Sequence, residues 1–158
     1  MLPTRKQKDI LYISPPNASP TRRGWMSTGD QTFIGDKSFT NISFDGPIVF
    51  ANPITPSALT GNTNNYNPAG LSSSNILRIS STGNFNLTGL QAPSPAKGQV
   101  ILVVNIGTNN ITLKNNDAAS SAGNRFLAGA DKLVQAQESV ILVYDEVSLR
   151  WRVIAQQI

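Results

Sequence analysis

The feature that most limits what this chain can fold into is the apolar run from Val100 to Ile106, in which Asn105 is the one polar residue. The rest of the run is aliphatic and largely β-branched, a composition that favours the pleated conformation of a strand. The run is also too short to be read as a helix. Because its apolar residues follow one another instead of alternating with polar ones, it predicts a strand buried on both faces.

Two hairpins are predicted from turn residues that separate apolar segments. The first joins the run to the alternating segment 111–114 through a Gly/Asn turn at 107–110. The second joins 139–144 to 149–154 through a polar turn at 145–148. Together these hairpins are expected to supply the hydrophobic core of an all-β domain.

Side chains alternate along the last strand of the second hairpin. Trp151 and Val153 are expected to face the core, because a Trp that alternates with Val on a strand is more often buried than an exposed stacking platform. Arg150 and Arg152 then face the other side, where they lie either in solvent or at a subunit contact.

The remaining pattern predicts a β-sandwich. Further short strands are expected at 76–80, 85–87, 125–127 and 133–134. About seven or eight short strands at regular spacing, with no helix longer than about one turn, are typical of a sandwich. We expect a jelly-roll-like arrangement, and the sequence contains no internal repeat of solenoid length.

Residues 1–28 differ from the rest of the chain and are predicted to form an extended basic arm. Asp9 is the one acid among several cations, and repeated prolines exclude a continuous helix. Such an arm becomes ordered by lying on a partner; a disordered tail is the alternative. The residues expected to contact that partner are Arg5, Lys6, Lys8, Ile10, Leu11, Tyr12, Ile13, Arg22, Arg23 and Trp25.

Residues 29–54 are predicted to be a short strand- or stalk-like connector to a sandwich domain at 55–158. Its phenylalanines are separated by short polar steps and Gly/Asp turns, with too little apolar surface for one chain to bury. Copies wound around a common axis would bury them. The expected subunit-interface residues are Phe39, Phe44 and Phe50 of the connector, with Arg150 and Arg152 of the domain.

Composition argues against several classes of function. Charged residues are only 14% of the chain, against about 25% in typical soluble domains, which suits a protein within a crowded assembly. The chain has no Cys and no His, so the usual metal ligands are missing and we expect no metal and no cofactor. No segment reaches the roughly 18 apolar residues of a membrane span. Nucleic acid is a weaker partner hypothesis, since prolines dilute the cations of the arm.

Two acidic or polar features could still carry chemistry. Asp145 and Glu146 are adjacent in a predicted turn and should diverge, whereas paired-carboxylate hydrolysis needs two acids about 5–9 Å apart across a substrate. We therefore expect no enzyme activity. The polar loop 115–126 could bind a sugar or a neighbouring protein. Alternatively its Asn residues close Asx turns while Arg125 pairs with a carboxylate of the domain, which explains every residue of the loop.

Three parts of the sequence resemble a known family. They read ALTGNTNNYNPAGL at 58–71, LKNNDAASSAGNRFL at 113–127, and SVILVYD at 139–145 followed by RWRV at 150–153. In this order they resemble the β-domain of tailed-bacteriophage virion proteins of the head-fibre, capsid-decoration and tail-fibre type. The resemblance covers about residues 55 to 155. It implies a homotrimer located in the virion, with structural motifs and no catalytic residue.

Two functions fit this resemblance. The first is a capsid decoration or cement protein, or a short head fibre, whose arm docks on the major capsid protein or another virion protein and stabilises the shell. The second is a tail-fibre or adhesin module that binds a host-surface glycan or receptor. The short chain and the lack of a long stalk favour the first; a soluble lectin-like domain is a third possibility.

Overall fold

The computed structural model of the chain describes residues 43, 45–50 and 52–156. The chain divides into two compact units, Met1–Asp45 and Gly46–Ile158, and the fold below is that of the second unit. The predicted arm 1–28 lies outside the described residues, as do Phe39 and Phe44 of the connector.

Regular structure in the second unit is almost entirely β. Aliphatic residues dominate the strands, whereas Gly, Pro, Asn and Ser dominate the connections, as their conformational preferences predict. Short 3₁₀ turns lie at Leu71–Ser73 and Ala122–Asn124. The strands are β1 (Ile76–Ile79), β2 (Phe85–Leu87), β3 (Val100–Asn105), β4 (Ile111–Leu113), β5 (Phe126–Leu127), β6 (Lys132–Val134), β7 (Ser139–Asp145) and β8 (Arg150–Gln156).

In the described part of the chain these strands form two sheets around one hydrophobic core. The five-stranded sheet has the order β1-β3-β7-β8-β5, and the three-stranded sheet has the order β2-β4-β6. The predicted all-β sandwich is therefore confirmed. The jelly-roll-like detail is wrong, because a jelly roll pairs antiparallel strands, whereas β1–β3, β2–β4 and β5–β8 are parallel pairs.

The pairs β1–β3 and β2–β4 are parallel because the chain makes three successive passes in the same direction, at 54–66, 76–90 and 100–113. In the second pass β1 enters the large sheet and β2 the small one; in the third pass β3 and β4 follow the same course beside them. β6 and β7 then return antiparallel to the third pass. The first pass is held to the second by isolated parallel bridges: Ile54 to Leu77, Leu59 to Ser81, Thr63 to Leu87 and Tyr66 to Leu90.

The first predicted hairpin is wrong, because β3 and β4 belong to different sheets. Asn105, which is fully buried at the end of β3, fixes the corner between them. The two hydrogens of its Nδ2 are shared among the carbonyls of Asn109, Val134 and Gln135, which lie 2.8, 3.1 and 2.9 Å from that nitrogen. Its Oδ1 accepts the Gly107 N–H at 3.1 Å. The single polar residue of the apolar run thus redirects the chain from one sheet to the other.

The second predicted hairpin is confirmed, since β7 and β8 pair antiparallel. Trp151 is fully buried, as expected, and packs edge-on against Tyr144 with ring centroids 5.2 Å apart. Its indole Nε1 donates to the Leu90 carbonyl at 2.8 Å. A buried indole is tolerated only where its N–H has a partner, so this bond ties the last strand to the second pass.

At a second corner, asparagine side chains form hydrogen bonds to neighbouring parts of the chain. We call this set of bonds the asparagine ladder. The Oδ1 of Asn62 accepts the Asn86 N–H, and the Oδ1 of Asn84 accepts the Asn110 N–H, both at 2.9 Å. The Oδ1 of Asn110 in turn accepts the Ala136 N–H at 3.2 Å. The first two bonds supply an acceptor to a backbone donor of the next pass, and the third supplies one to the connection between β6 and β7; each donor would otherwise need water.

The core lies between the two sheets. Alternate residues of each strand face inward, as a period of two requires. The least exposed large side chains of the described residues are Trp151, Phe126, Leu77, Ile79, Leu87, Leu90, Ile101, Ile111, Leu113, Leu142, Val103 and Val134.

Candidate functional site

Several acidic side chains of the described residues fix local structure. Asp117 closes an Asx turn, and Asp131 forms an ion pair with Lys114. Glu138 accepts the backbone N–H and the side-chain amide of Gln135 at 3.0 and 3.1 Å. Within the described ranges no three His, Cys, Asp or Glu side chains cluster so that they could hold a metal ion.

Asp145 closes the turn of the second hairpin. Its carboxylate accepts the Ser148 hydroxyl at 2.7 Å, the N–H groups of Val147 and Ser148 at 3.0 and 3.3 Å, and the Arg152 Nε at 3.0 Å. These hydrogen bonds, those from Ser148 first, lower the pKa of Asp145 to about 2. Glu146 beside it is exposed. The two acids therefore lack the facing arrangement that paired-carboxylate hydrolysis requires.

The side chains of the polar loop 115–126 hold local structure, but its Asx turn is closed by Asp117, where we expected the Asn residues to close such turns. Asn115 Oδ1 accepts the Ala128 N–H at 2.9 Å, and Asn116 adopts a positive φ of 47°. Arg125 differs from expectation, because its Nε donates to the Ser120 carbonyl at 2.8 Å where we expected a carboxylate. The Ser120 carbonyl belongs to the same loop, so the N–H group of Arg125 is satisfied locally.

A network of polar side chains, which we call the polar corner, links this loop to the first two passes; Thr88, Ser120 and Asn124 are buried, Asn65 is half-buried and Asn64 is exposed. Thr88 Oγ1 donates to Asn64 Oδ1 at 2.7 Å and lies 2.7 Å from Ser120 Oγ. Since a hydroxyl has one hydrogen, Ser120 donates to Thr88. Asn65 N–H donates to Ser120 Oγ at 2.8 Å, and Asn124 Nδ2 donates to Asn65 Oδ1 at 2.8 Å. These hydrogen bonds hold the loop against the first and second passes.

A shallow cleft of about 620 Å³ lies along the first pass. Tyr66 forms part of its wall and is half-buried; burial raises the pKa of its hydroxyl. Its backbone is fixed by two bonds to the second pass, from Tyr66 N–H to the Gly89 carbonyl at 2.9 Å and from Gln91 N–H to the Tyr66 carbonyl at 2.8 Å. The cleft is lined by Ile54, Thr55, Pro56, Ser57, Tyr66, Pro68 and Ala69.

The sequence analysis did not predict this cleft, because no strand and no site was predicted between residue 55 and residue 75. The one signal available was the local density of Pro and Tyr in an otherwise Asn- and Ser-rich stretch. Such rigid, apolar rings expose flat surfaces with little loss of conformational entropy. The cleft is lined by two segments of the chain, 54–57 and 66–69. Bridges from the first pass to the second hold both segments in place.

The predicted docking residues of the arm, from Arg5 to Trp25, lie outside the described residues. Of the predicted subunit-interface residues, Phe50 is 49% exposed. Arg150 donates to the Leu149 carbonyl at 2.9 Å, and Arg152 pairs with Asp145 of its own chain. The assignment of these three residues to a subunit contact stays a prediction.

Comparison with known proteins agrees with this architecture. Residues 58–152 match the family model of the phage depolymerase C-terminal beta sandwich domain. The chain belongs to this family. No curated protein and no solved structure matches it.

The family places the chain among the β-domains of tailed-phage virions, as the sequence resemblance predicted. The matched range runs from the first pass to β8, so it includes both sheets and the polar corner. In the described part of the chain no helix is long and apolar enough to cross a membrane.

Proposed function

We propose that this chain is a non-catalytic module of a phage tail fibre or tailspike that binds a glycan of the host surface. The match of residues 58–152 to a domain of phage depolymerases carries the proposal. An enzyme that cleaves a polymer must hold that polymer, and a β-sandwich attached to it is a rigid platform for doing so.

The cleft beside Tyr66 supports the binding part of this proposal. A phenol ring with neighbouring prolines offers an apolar surface on which the C–H face of a sugar ring stacks. Hydroxyls of Thr55 and Ser57 at the same cleft offer hydrogen bonds to sugar hydroxyls. A shallow, mostly apolar cleft with a few polar groups suits a chain-like ligand better than a small, fully enclosed one.

The turn-bound acids support the non-catalytic part. Asp145 accepts three protein hydrogen bonds besides its contact with Arg152, and its lowered pKa makes it a poor general acid at neutral pH. Asp131 is held by Lys114 and by the Asn115 N–H. Neither lines the cleft.

Binding is tested on a glycan array and then by titration calorimetry with the best glycan. Tyr66→Ala is expected to weaken binding about tenfold or more, whereas Tyr66→Phe, which keeps the ring, should bind within about threefold of wild type. Equal binding by all three proteins would remove the cleft from the proposal.

Position in the virion is tested separately by quantitative gel densitometry and immunogold labelling. A few tens of copies or fewer at the tail are expected. Hundreds of copies over the head would favour instead the capsid decoration or cement function, which depends on docking by the arm 1–28.

A further inference from the structure

The part of the sequence that forms the cleft is almost free of charge. Between Asp45 and Lys97 the one charged residue is Arg78, although charged residues make up 14% of the whole chain. The cleft is lined by segments 54–57 and 66–69, so it lies within this stretch. A ligand in the cleft therefore meets a surface that differs from the rest of the chain in its electrostatics.

The described residues that line the cleft offer polar groups without charge. Thr55 and Ser57 are exposed and carry hydroxyls, and Tyr66 carries a third. A hydroxyl both donates and accepts one or more hydrogen bonds, which matches the hydroxyls of a sugar. The other described lining residues are aliphatic side chains and proline rings, so none of this set can compensate a negative charge.

Arg78 is the charged residue that the backbone pairing brings nearest to the cleft. Its N–H donates to the Ile54 carbonyl at 2.8 Å. Its side chain is exposed on β1 and does not line the cleft. An exposed cation is solvated by water and screened by salt, so Arg78 is a poor substitute for a cation within the cleft.

The walls of the cleft are held in place by the fold. Ile54 N–H donates to the Ile76 carbonyl at 2.9 Å, and Leu71, which is buried, donates its N–H to the Pro68 carbonyl at 3.2 Å. Gly70 has a positive φ of 85°, and a Cβ added there would lie 3.0 Å from Ile54 Cγ2. The two segments are therefore in close contact, and the polar groups that a ligand meets are those already at the cleft.

We propose that the cleft selects uncharged glycans, which are chains of neutral sugars without carboxylate, phosphate or sulfate groups. This inference rests on the proposed glycan-binding function and names the class of glycan. A carboxylate that leaves water for a mostly apolar surface loses hydration, and it is stabilised there only by a cation or several hydrogen-bond donors. A neutral sugar keeps its hydroxyls bonded and stacks its C–H face on the rings of the cleft.

The test compares pairs of oligosaccharides that differ only in charge. The probes are oligomers of glucose, galactose and mannose and the corresponding oligouronates, in which each C6 hydroxymethyl group is replaced by a carboxylate. With the full chain in titration calorimetry, we expect the neutral member of the best pair to bind at least about tenfold more tightly. Its Kd should change by less than about twofold between about 20 mM and about 500 mM sodium chloride, because no charge pair contributes.

A cation introduced at the cleft should remove this selectivity. Ala69 is an exposed lining residue, and Ala69→Lys is expected to lower the ratio of the two Kd values, oxidised over neutral, from at least about ten to about one. Ala118→Lys is the matched control, since Ala118 is equally classed as exposed but lies in the loop 115–126 and does not line the cleft. It should keep the ratio of the wild type.

Thr55→Lys is the second variant, in case Ala69→Lys does not fold, and circular dichroism confirms the fold of each variant before its binding is interpreted. Arg78→Gln tests the nearest cation and should change the Kd of the neutral glycan by less than about twofold. An unchanged ratio in folded Ala69→Lys and Thr55→Lys would overturn the proposal, because charge at the cleft would then not govern the choice of glycan.

The two proposals fail in different ways. If wild type binds the oligouronate as tightly as its neutral partner, or more tightly, the charge selectivity is overturned while the proposed glycan binding stands. Loss of that binding in Arg78→Gln would then show which residue supplies the charge. If wild type binds no glycan of either kind, on the array or in calorimetry, the proposed function and this inference are both overturned.

Discussion

The outward faces of the two sheets of this sandwich differ in their residue types. The outward positions of the five-stranded sheet include Leu102, Ile141 and Val143 beside the polar Arg78, Ser139 and Arg152. The outward row of the three-stranded sheet is Asn86, Thr112 and Leu133. Inside, both sheets contribute to one aliphatic and aromatic core. The two sheets therefore differ on their outward faces and not in the core that they share.

Polar side chains that satisfy backbone groups are found at the corners of the sandwich. At the asparagine ladder and the polar corner, asparagine and hydroxyl side chains accept hydrogen bonds from backbone N–H groups. On the side of the large sheet, apolar surface stays exposed and no side chain of the described residues covers it fully. Four substitutions test how strongly the corners of the sandwich and the turn between β7 and β8 contribute to its stability.

The largest effect is expected for Gly89→Ala at the polar corner. An added Cβ would lie 2.6 Å from the Asn124 carbonyl oxygen and 2.7 Å from Ser120 Oγ, so backbone would have to shift. We expect a loss of at least about 3 kcal/mol in the free energy of unfolding, measured by urea denaturation. Gly61→Ala is the control, since its added Cβ meets nothing within 4 Å. Similar losses for both would show that the corner is loosely packed.

Asn105→Ala is expected to have the next largest effect. It removes the buried amide that donates to three carbonyls and accepts the Gly107 N–H. Leaving such groups buried without partners costs about 1–3 kcal/mol each, partly recovered by relaxation, so we expect about 2–4 kcal/mol in urea denaturation. A loss below about 1 kcal/mol would mean that water replaces the amide and that the corner does not depend on it.

Asn84→Ala tests an exposed rung of the asparagine ladder. Its Oδ1 accepts the Asn110 N–H at 2.9 Å where water has access, so the expected loss is about 0.5–1 kcal/mol in the same denaturation experiment. Asn67→Ala, which is exposed on the first pass, is the control and should change stability by less than about 0.5 kcal/mol. An Asn84→Ala loss as large as that of Asn105→Ala would remove the distinction between buried and exposed corners.

The smallest effect is expected at the turn that joins β7 to β8. Because the pKa of Asp145 is lowered from 3.8 to about 2, its carboxylate contributes stability that is fully present above pH 3.8 and is lost as pH falls through about 2. Asp145→Asn should therefore flatten the acid limb of the melting temperature between pH 4 and pH 2. Ser148→Ala, which removes the hydroxyl that donates to this carboxylate at 2.7 Å, should flatten the same limb in part. An acid limb that neither variant changes would contradict the assignment.

Much of the fold could be predicted from short-range patterns. The apolar run predicted β3, the polar turn predicted the β7–β8 hairpin, and alternation placed Trp151 inside. Each of these follows from the period of two that a strand imposes on neighbouring side chains. The hairpin at 107–110 was wrong because a Gly/Asn turn does not specify whether the next strand pairs with the last one.

The candidate site was less accessible to such reasoning. Tyr66 meets Ile54 and Pro56 at one cleft only because the first pass runs beside the second. The predicted binding residues of the arm lie outside the described part of the chain, so their contribution stays a prediction. Residue types at a site are visible in a sequence, but their convergence depends on long-range register.

By itself the sequence determined that the chain is all-β, which strands it contains and which of their side chains are apolar, because these depend on neighbours along the chain. Only the tertiary structure decided that three passes stack in parallel and that Asn105 turns the chain between sheets, because those choices depend on contacts between distant segments. It also decided that the apolar run, predicted to be buried on both faces, has one face buried by its own chain.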